Sequence, residues 1–217
     1  MTLLYLLRHG AIDWPEADCF IGQTDAPLSA EGRRQAGACR SELRNLEFTA
    51  VWSSDLTRAT ETAGIIFAGC AASIRTCREL REIQLGEWDG QPRGRVRESH
   101  PDHWRARGED LADFRPPGGE SFRDLQQRVV PQIARIAEET QGTACIVTHA
   151  GVIRVLICHM LQIPLSNIFR IRLDYGCVSI VAYSPGRVEV CALNLRPSNL
   201  SCSPGGEIGG PHDPAQV

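Results

Sequence analysis

The sequence contains no lysine: all 23 of its basic residues are arginine. A Schiff-base lysine and a P-loop lysine are thereby excluded, so any phosphate contact must come from arginine, histidine or main-chain amides. Codon bias in a GC-rich genome is a sufficient cause for the missing lysines. No apolar run reaches membrane-spanning length, and no basic segment precedes the short apolar stretch of MTLLYLLRHG. That opening therefore reads as a buried strand, with the cytoplasm as the expected location and no membrane partner. The nine cysteines include no CxxC pair, which removes the usual zinc and redox motifs. All are expected to be thiols, with Cys39, Cys145, Cys158 and Cys191 acting as small hydrophobes in apolar patterns. A net charge of −3 gives no electrostatic case for nucleic acid. No internal repeat is present.

What the sequence has is the composition of an ordinary globular domain: 217 residues, 42% apolar and 23% charged. Thr2 to Leu7 is nearly all apolar, as suits a strand buried on both faces. A loop rich in Gly, Pro and Asp follows. Ser29 is placed to cap a helix running to about Leu43, with Ala36, Cys39 and Leu43 on one face. Ala50 to Ser53 reads as a strand, and Ser54 or Asp55 as the cap of a helix through Ile66 and Phe67. Ser73 to Thr76 offers a third strand. Periodicity then fails from Glu79 to Gly119, where a short helix is expected near His100 to Arg107. Beyond PPGGES, Phe122, Leu125, Val129, Ile133 and Ile136 recur at helical spacing. A strand over Thr143–Thr148, a helix over Val152–Leu161, and strands over Arg170–Leu173, Val178–Tyr183 and Val188–Leu193 complete the pattern. Ser184-Pro185-Gly186 supplies the last hairpin turn.

Strands alternating with helices imply an α/β fold. The expected form is a three-layer α/β/α sandwich with a mostly parallel central sheet, an antiparallel edge hairpin and a helical insertion at about 87–119 over the site. The folded domain is expected over 1–196, with 197–217 as a disordered tail.

Ligands in such sheets bind at the carboxyl ends of the strands. His9 and His149 both follow predicted strands, each has a glycine close behind (Gly10 and Gly151), and Arg8 adjoins the first. Glycine there lets main-chain amides approach an anion. Arg58 falls in the first turn of a predicted helix, where the dipole favours an anion. Neither histidine has a third metal ligand nearby in sequence, and Arg8 would repel a cation, so no metal and no cofactor are expected.

Four segments in this order, LLRHG, SSDLTRATETA, LREIQLGEWDG and VTHAG, resemble the histidine phosphatase superfamily, also called phosphoglycerate-mutase-like. The resemblance spans about Leu3 to Leu195. It implies that His9 attacks phosphorus to become phosphohistidine, while Arg8, Arg58 and His149 hold the phosphoryl oxygens. Glu82, four residues before Gly86, then corresponds to the family's proton donor, and Glu79 and Glu87 are left as surface. Gly10, Gln23, Thr24 and Gly151 are added as substrate contacts.

FIGQTDAPLS, GEWDG and PPGGESF further resemble the α-ribazole phosphatase branch, implying hydrolysis of α-ribazole 5′-phosphate in cobalamin synthesis. The insertion has neither the lysine nor the adjacent arginine pair of the family's phosphoglycerate mutases. Mutase, broad-specificity phosphatase and non-catalytic phospholigand binder are the alternatives. Ala11-Ile12, Pro15 and Cys19 depart from the family's usual Glu-Thr, Asn and Arg. His100, His103, Trp88 and Trp104 are candidates for the leaving-group side or for packing. The expected partner is a small-molecule phosphomonoester, and a homodimer is left open.

Overall fold

The computed structural model describes residues 1–70 and 72–202. Six strands form one sheet: β1 (Thr2–Arg8), β2 (Ala50–Ser54), β3 (Ile74–Cys77), β4 (Thr143–Thr148), β5 (Val178–Ser184) and β6 (Arg187–Leu195). The order across the sheet is β3-β2-β4-β1-β5-β6. The β3–β2, β2–β4 and β4–β1 pairs are parallel, whereas β5 joins β1 antiparallel and carries β6 as a hairpin.

Alternation along the central strands explains the three layers. Leu4 and Leu6 of β1, with Ala144 and Ile146 of β4, pack on helices α5 (Phe122–Glu139) and α6 (Ala150–Met160). Tyr5, Leu7, Cys145 and Val147 face the other way, onto α1 (Ala30–Leu43) and α2 (Thr57–Ile66). Side chains on both faces of a strand are thus buried, which is why these runs read as continuously apolar. Burial pushes the Cys39 thiol up to about 12 and raises that of Cys145, so both behave as inert hydrophobes. Cys191 does not: it is exposed, because β6 is an edge strand whose alternate residues face away from the sheet.

Local chemistry sets the helix starts. Ser29 caps α1 as expected, accepting from Gly32 N. Ser121 and Asp124 form a reciprocal capping box at the start of α5. Neither Ser54 nor Asp55 caps α2. Asp25 reaches in from the loop, accepting from Thr57 N at 2.8 Å and Thr57 Oγ1 at 2.5 Å. Asp55 instead makes a two-pronged pair with Arg81, both contacts at 2.7 Å, which holds its carboxyl below the ordinary value.

Three further differences have local causes. The helix expected near His100 to Arg107 is α4 (Pro101–Glu109), and a second helix that was not expected, α3 (Arg93–Ser99), precedes it; His100 separates the two because a residue before proline is driven out of helical backbone. Arg170–Leu173 is not a strand. Leu165–Arg170 is a 3₁₀ helix, and the Ile171 and Leu173 carbonyls accept from Arg154 and Arg8 rather than from a neighbouring strand. Pro197–Cys202, expected to begin the tail, forms a short 3₁₀ helix; 203–217 lie outside the described residues. Among the described residues no helix is long and apolar enough to cross a membrane.

Candidate active site

β1 and β4 end side by side, with Arg8 opposite Thr148. The residues that follow, His9 and His149, therefore emerge together, their ring centroids 5.0 Å apart. His9 is 5% exposed, and its Nδ1 lies 2.8 Å from the Gly10 carbonyl. A carbonyl can only accept, so Nδ1 carries the proton and Nε2 keeps its lone pair. Burial, then the Arg58 and Arg8 charges, holds this imidazole well below its ordinary value, outweighing the opposing Gly10 hydrogen bond. His9 is therefore neutral near pH 7, with a free ring nitrogen in the tautomer a nucleophile needs.

His149 is fully buried at the N-cap of α6. Its Nε2 lies 2.8 Å from Ser54 Oγ at the end of β2, and its Nδ1 is buried without a partner. Ser54 Oγ already accepts, weakly, from Leu56 N at 3.4 Å. Its hydroxyl hydrogen can then go to Nε2, leaving Nδ1–H as a donor. Burial, then Arg58, His9 and Arg8, depresses this imidazole too.

Arg58 is 1% exposed, and its two terminal nitrogens donate to Thr24 O at 2.8 Å and Gly22 O at 2.5 Å. Arg8 donates to Leu173 O at 2.6 Å and lies 3.6 Å over the Tyr175 ring, which also stands 5.5 Å from His9. The Nε atoms of Arg8 and Arg58 are buried without partners, as is His149 Nδ1. Buried donors are nearly always satisfied, and these belong to three residues whose charge or proximity acts on one histidine pair. Such donors are complementary to the oxygens of an anion. Among the described residues, no three His, Cys, Asp or Glu side chains converge as a metal ion would need.

Glu82 is 9% exposed, and each of its oxygens accepts a main-chain amide: Oε1 from Ile83 N at 2.9 Å, Oε2 from Gly151 N at 3.0 Å. Arg128 of α5 steadies the segment, donating to the carbonyls of Glu79, Arg81 and Glu82 while pairing with Glu120. Glu79 is exposed, and its carboxylate accepts from the Cys77 thiol. Glu87 is exposed as well.

Two glycines expected to offer open amides do something else. Gly151 N is taken by Glu82, and a Cβ at this position would stand 3.0 Å from the Glu82 carboxyl carbon and nearer still to Oε1. Gly10 N is taken by Thr62 Oγ1 at 3.1 Å, and a Cβ there would meet Gly32 O at 2.5 Å. Both positions are glycine because another group needs the space. Gln23 and Thr24 differ likewise from simple ligand contacts. The amides of Gly22, Gln23 and Thr24 all donate to the Asp89 carboxylate at 2.8–2.9 Å, and Gln23 Nε2 donates to Glu82 O at 3.1 Å.

Sequence reasoning missed Asp89, Arg128, Thr62, Ser54 and Tyr175. Asp89 had a signal, an acid fixed between Trp88 and Gly90; the others act through contacts across the fold that no local pattern marks. A cavity of about 120 Å³ opens beside Glu82 and Gly151, walled by Phe20, Leu85, Phe114 and Phe169 with Arg107 and Arg154. Arg93, Leu111 and Pro116 of the 87–119 segment line it as well. Trp88 and Phe20 are packed against each other in a satellite core, and none of Trp88, His100, His103 and Trp104 lines the cavity.

Known proteins share this fold. "Probable phosphoglycerate mutase GpmB" of Salmonella choleraesuis is 33% identical over 184 residues, which are 84% of this chain and 86% of that protein. The α-ribazole phosphatase of Shigella flexneri superposes with a TM-score of 0.82 at 28% identity, covering 89% of this chain and 96% of that one. A mycobacterial glucosyl-3-phosphoglycerate phosphatase superposes at 0.79 with 28% identity, covering 88% and 98%. The model of the histidine phosphatase superfamily (branch 1) matches residues 4–196, which include every element around the two histidines. The chain is a member of the histidine phosphatase superfamily.

Proposed function

We propose that this protein is a metal-independent phosphomonoester hydrolase that works through a phosphohistidine at His9. The observation that carries the reading is a histidine with Nδ1 tied to a carbonyl and Nε2 free, together with buried, unpartnered donors on Arg8, Arg58 and His149. A phosphoryl group brings the oxygens those donors lack. His9 Nε2 forms a bond to phosphorus as the ester P–O bond breaks, and Glu82 gives its proton to the departing alcohol oxygen. Water then attacks the phosphohistidine, passing a proton to Glu82 as the P–N electron pair returns to Nε2. Inorganic phosphate leaves, and both residues are restored.

Hydrolysis is favoured over mutation because the insertion lacks a lysine and an adjacent arginine pair to grip a small carboxylate. The name carried by the Salmonella relative supports the mutase alternative. Among named substrates, α-ribazole 5′-phosphate is the first to test: the sequence motifs point to it, two similar solved structures carry that activity in their names, and the aromatic walls of the cavity suit a ring. The reaction is expected in the cytoplasm on a small molecule, with no nucleic acid or membrane. Incubation with a panel of esters, 3-phosphoglycerate included, separates the readings. Release of inorganic phosphate supports the hydrolase, whereas 2-phosphoglycerate formation without net phosphate release would overturn it.

A further inference from the structure

Arg8 and Arg58 are held in different ways. Arg58 is buried, and two carbonyls of the Asp89-bound loop fix its terminal nitrogens. Arg8 has one such anchor, Leu173 O, and it borders an open cavity of about 690 Å³ that Tyr175 also lines. Among the described residues Arg8 is in no ion pair, because the acids of that cavity are taken, Glu31 by Arg34 and Asp174 by Arg172. A long side chain beside open space keeps its rotamer freedom unless something confines it.

The segment 173–177 supplies the confinement. Arg8 N donates to Cys177 O at 3.0 Å, and Gly176 N is shared between Arg8 O and His9 O, 3.2 Å from each. Gly176 takes φ +67°, and a Cβ there would meet Gln35 Cβ at 2.9 Å, so the turn that presents Tyr175 has little room to shift. Asp174 N is tied to Asn194 Oδ1 at 2.7 Å. Between these anchors the Tyr175 ring lies 3.6 Å from the Arg8 guanidinium and 5.5 Å from the His9 ring.

A ring holds a guanidinium by its face. It attracts the cation through its π cloud, uses none of the N–H groups and adds no negative charge. A carboxylate in the same place would occupy two N–H groups and offset the charge that a phosphoryl group calls on.

We propose that Tyr175 is a positioning residue for the phosphoryl step: its ring grips the face of Arg8, keeping the guanidinium out of the open cavity and its free N–H groups beside His9. This rests on the hydrolase reading and adds to it a residue that acts only through Arg8.

The test is a double-mutant cycle on the full chain, reading kcat/KM for p-nitrophenyl phosphate. Tyr175→Leu should lower it about 3- to 30-fold, the worth of a cation–π contact shielded from water. Tyr175→Phe keeps the ring and should stay within about twofold of the wild type. In an Arg8→Gln background Tyr175→Leu should cost nothing further, because the group it serves is gone. Tyr175→Met runs the same cycle should the leucine variant fail to fold. Merely structural damage to the 173–177 segment would lower the rate equally in both backgrounds, and that equality would overturn this inference alone. A loss in Tyr175→Phe as large as in Tyr175→Leu would do the same. No hydrolysis by the wild type would overturn the proposed activity and this inference with it.

Discussion

Replacing Gly151 by alanine should displace Glu82, the proposed proton donor, without altering that residue. The added Cβ would lie 3.0 Å from the Glu82 carboxyl carbon and nearer still to Oε1, inside ordinary van der Waals contact. Gly151 is in the first turn of α6, where alanine is favoured over glycine by up to about 1 kcal/mol, so the backbone need not give way. The obstructed atoms are the end of a flexible side chain, and the carboxylate should swing aside. General-acid catalysis is worth about 10²–10⁴-fold, and most of it should be lost on an ester whose alcohol leaves poorly. Gly151→Ala should then lower kcat/KM for an alkyl phosphate by about 100-fold or more. For p-nitrophenyl phosphate the loss should stay below about tenfold, because that leaving group departs without a proton. In the proposed mechanism Glu82 also activates the water, so p-nitrophenol should appear in a burst before slow turnover. Steady-state and pre-steady-state kinetics measure both effects, and the melting temperature checks the fold. Wild-type kcat/KM on the alkyl ester, or equal losses on both esters, would refute the reasoning.

Two other outcomes follow from the site's electrostatics. His9 and His149 are both held well below the ordinary value of 6.5, so over the pH range just below it the unfolded chain binds protons that the folded chain does not. Stability is therefore fully present above about pH 6.5 and falls as the pH drops, by up to about 1.4 kcal/mol per pH unit for each histidine. Urea unfolding between about pH 7 and pH 5 should show this, with a shallower slope in His149→Asn; a flat profile would contradict it. Asp89→Asn should cost about 1–3 kcal/mol and raise KM, because one charged acceptor serving three consecutive amides is lost. An unchanged denaturation midpoint and KM would contradict this role for Asp89.

How much of this was legible in the sequence depends on the range of the interaction concerned. Tyr5 and Leu7 alternate with Leu4 and Leu6 across a sheet buried on both sides, so β1 showed itself as an apolar run, and Ser29 capped its helix through a contact three residues away. Strand ends carrying histidine and glycine marked the place of the site. The roles inside it were less visible. Gly10 and Gly151 looked like open amides, yet their amides go to Thr62, 52 residues away, and Glu82, 69 residues away. The cap of α2 was misplaced for the same reason, since Asp25 approaches it across 32 residues. Arg170–Leu173 had the alternation of a strand, but two arginines from elsewhere hold its carbonyls. Local pattern identifies an element, while its hydrogen-bond partners are settled by the packing of the whole chain.

The central claim is that His9 Nε2 takes the phosphoryl group, and trapping the intermediate tests it most directly. The enzyme is mixed with a phosphorus-labelled ester and quenched in alkali, where a phosphorus–nitrogen bond survives, and the labelled peptide is then mapped. The account predicts alkali-stable, acid-labile label on the peptide containing His9, and neither label nor turnover in His9→Ala. Label on another residue, or wild-type turnover by His9→Ala, would contradict it.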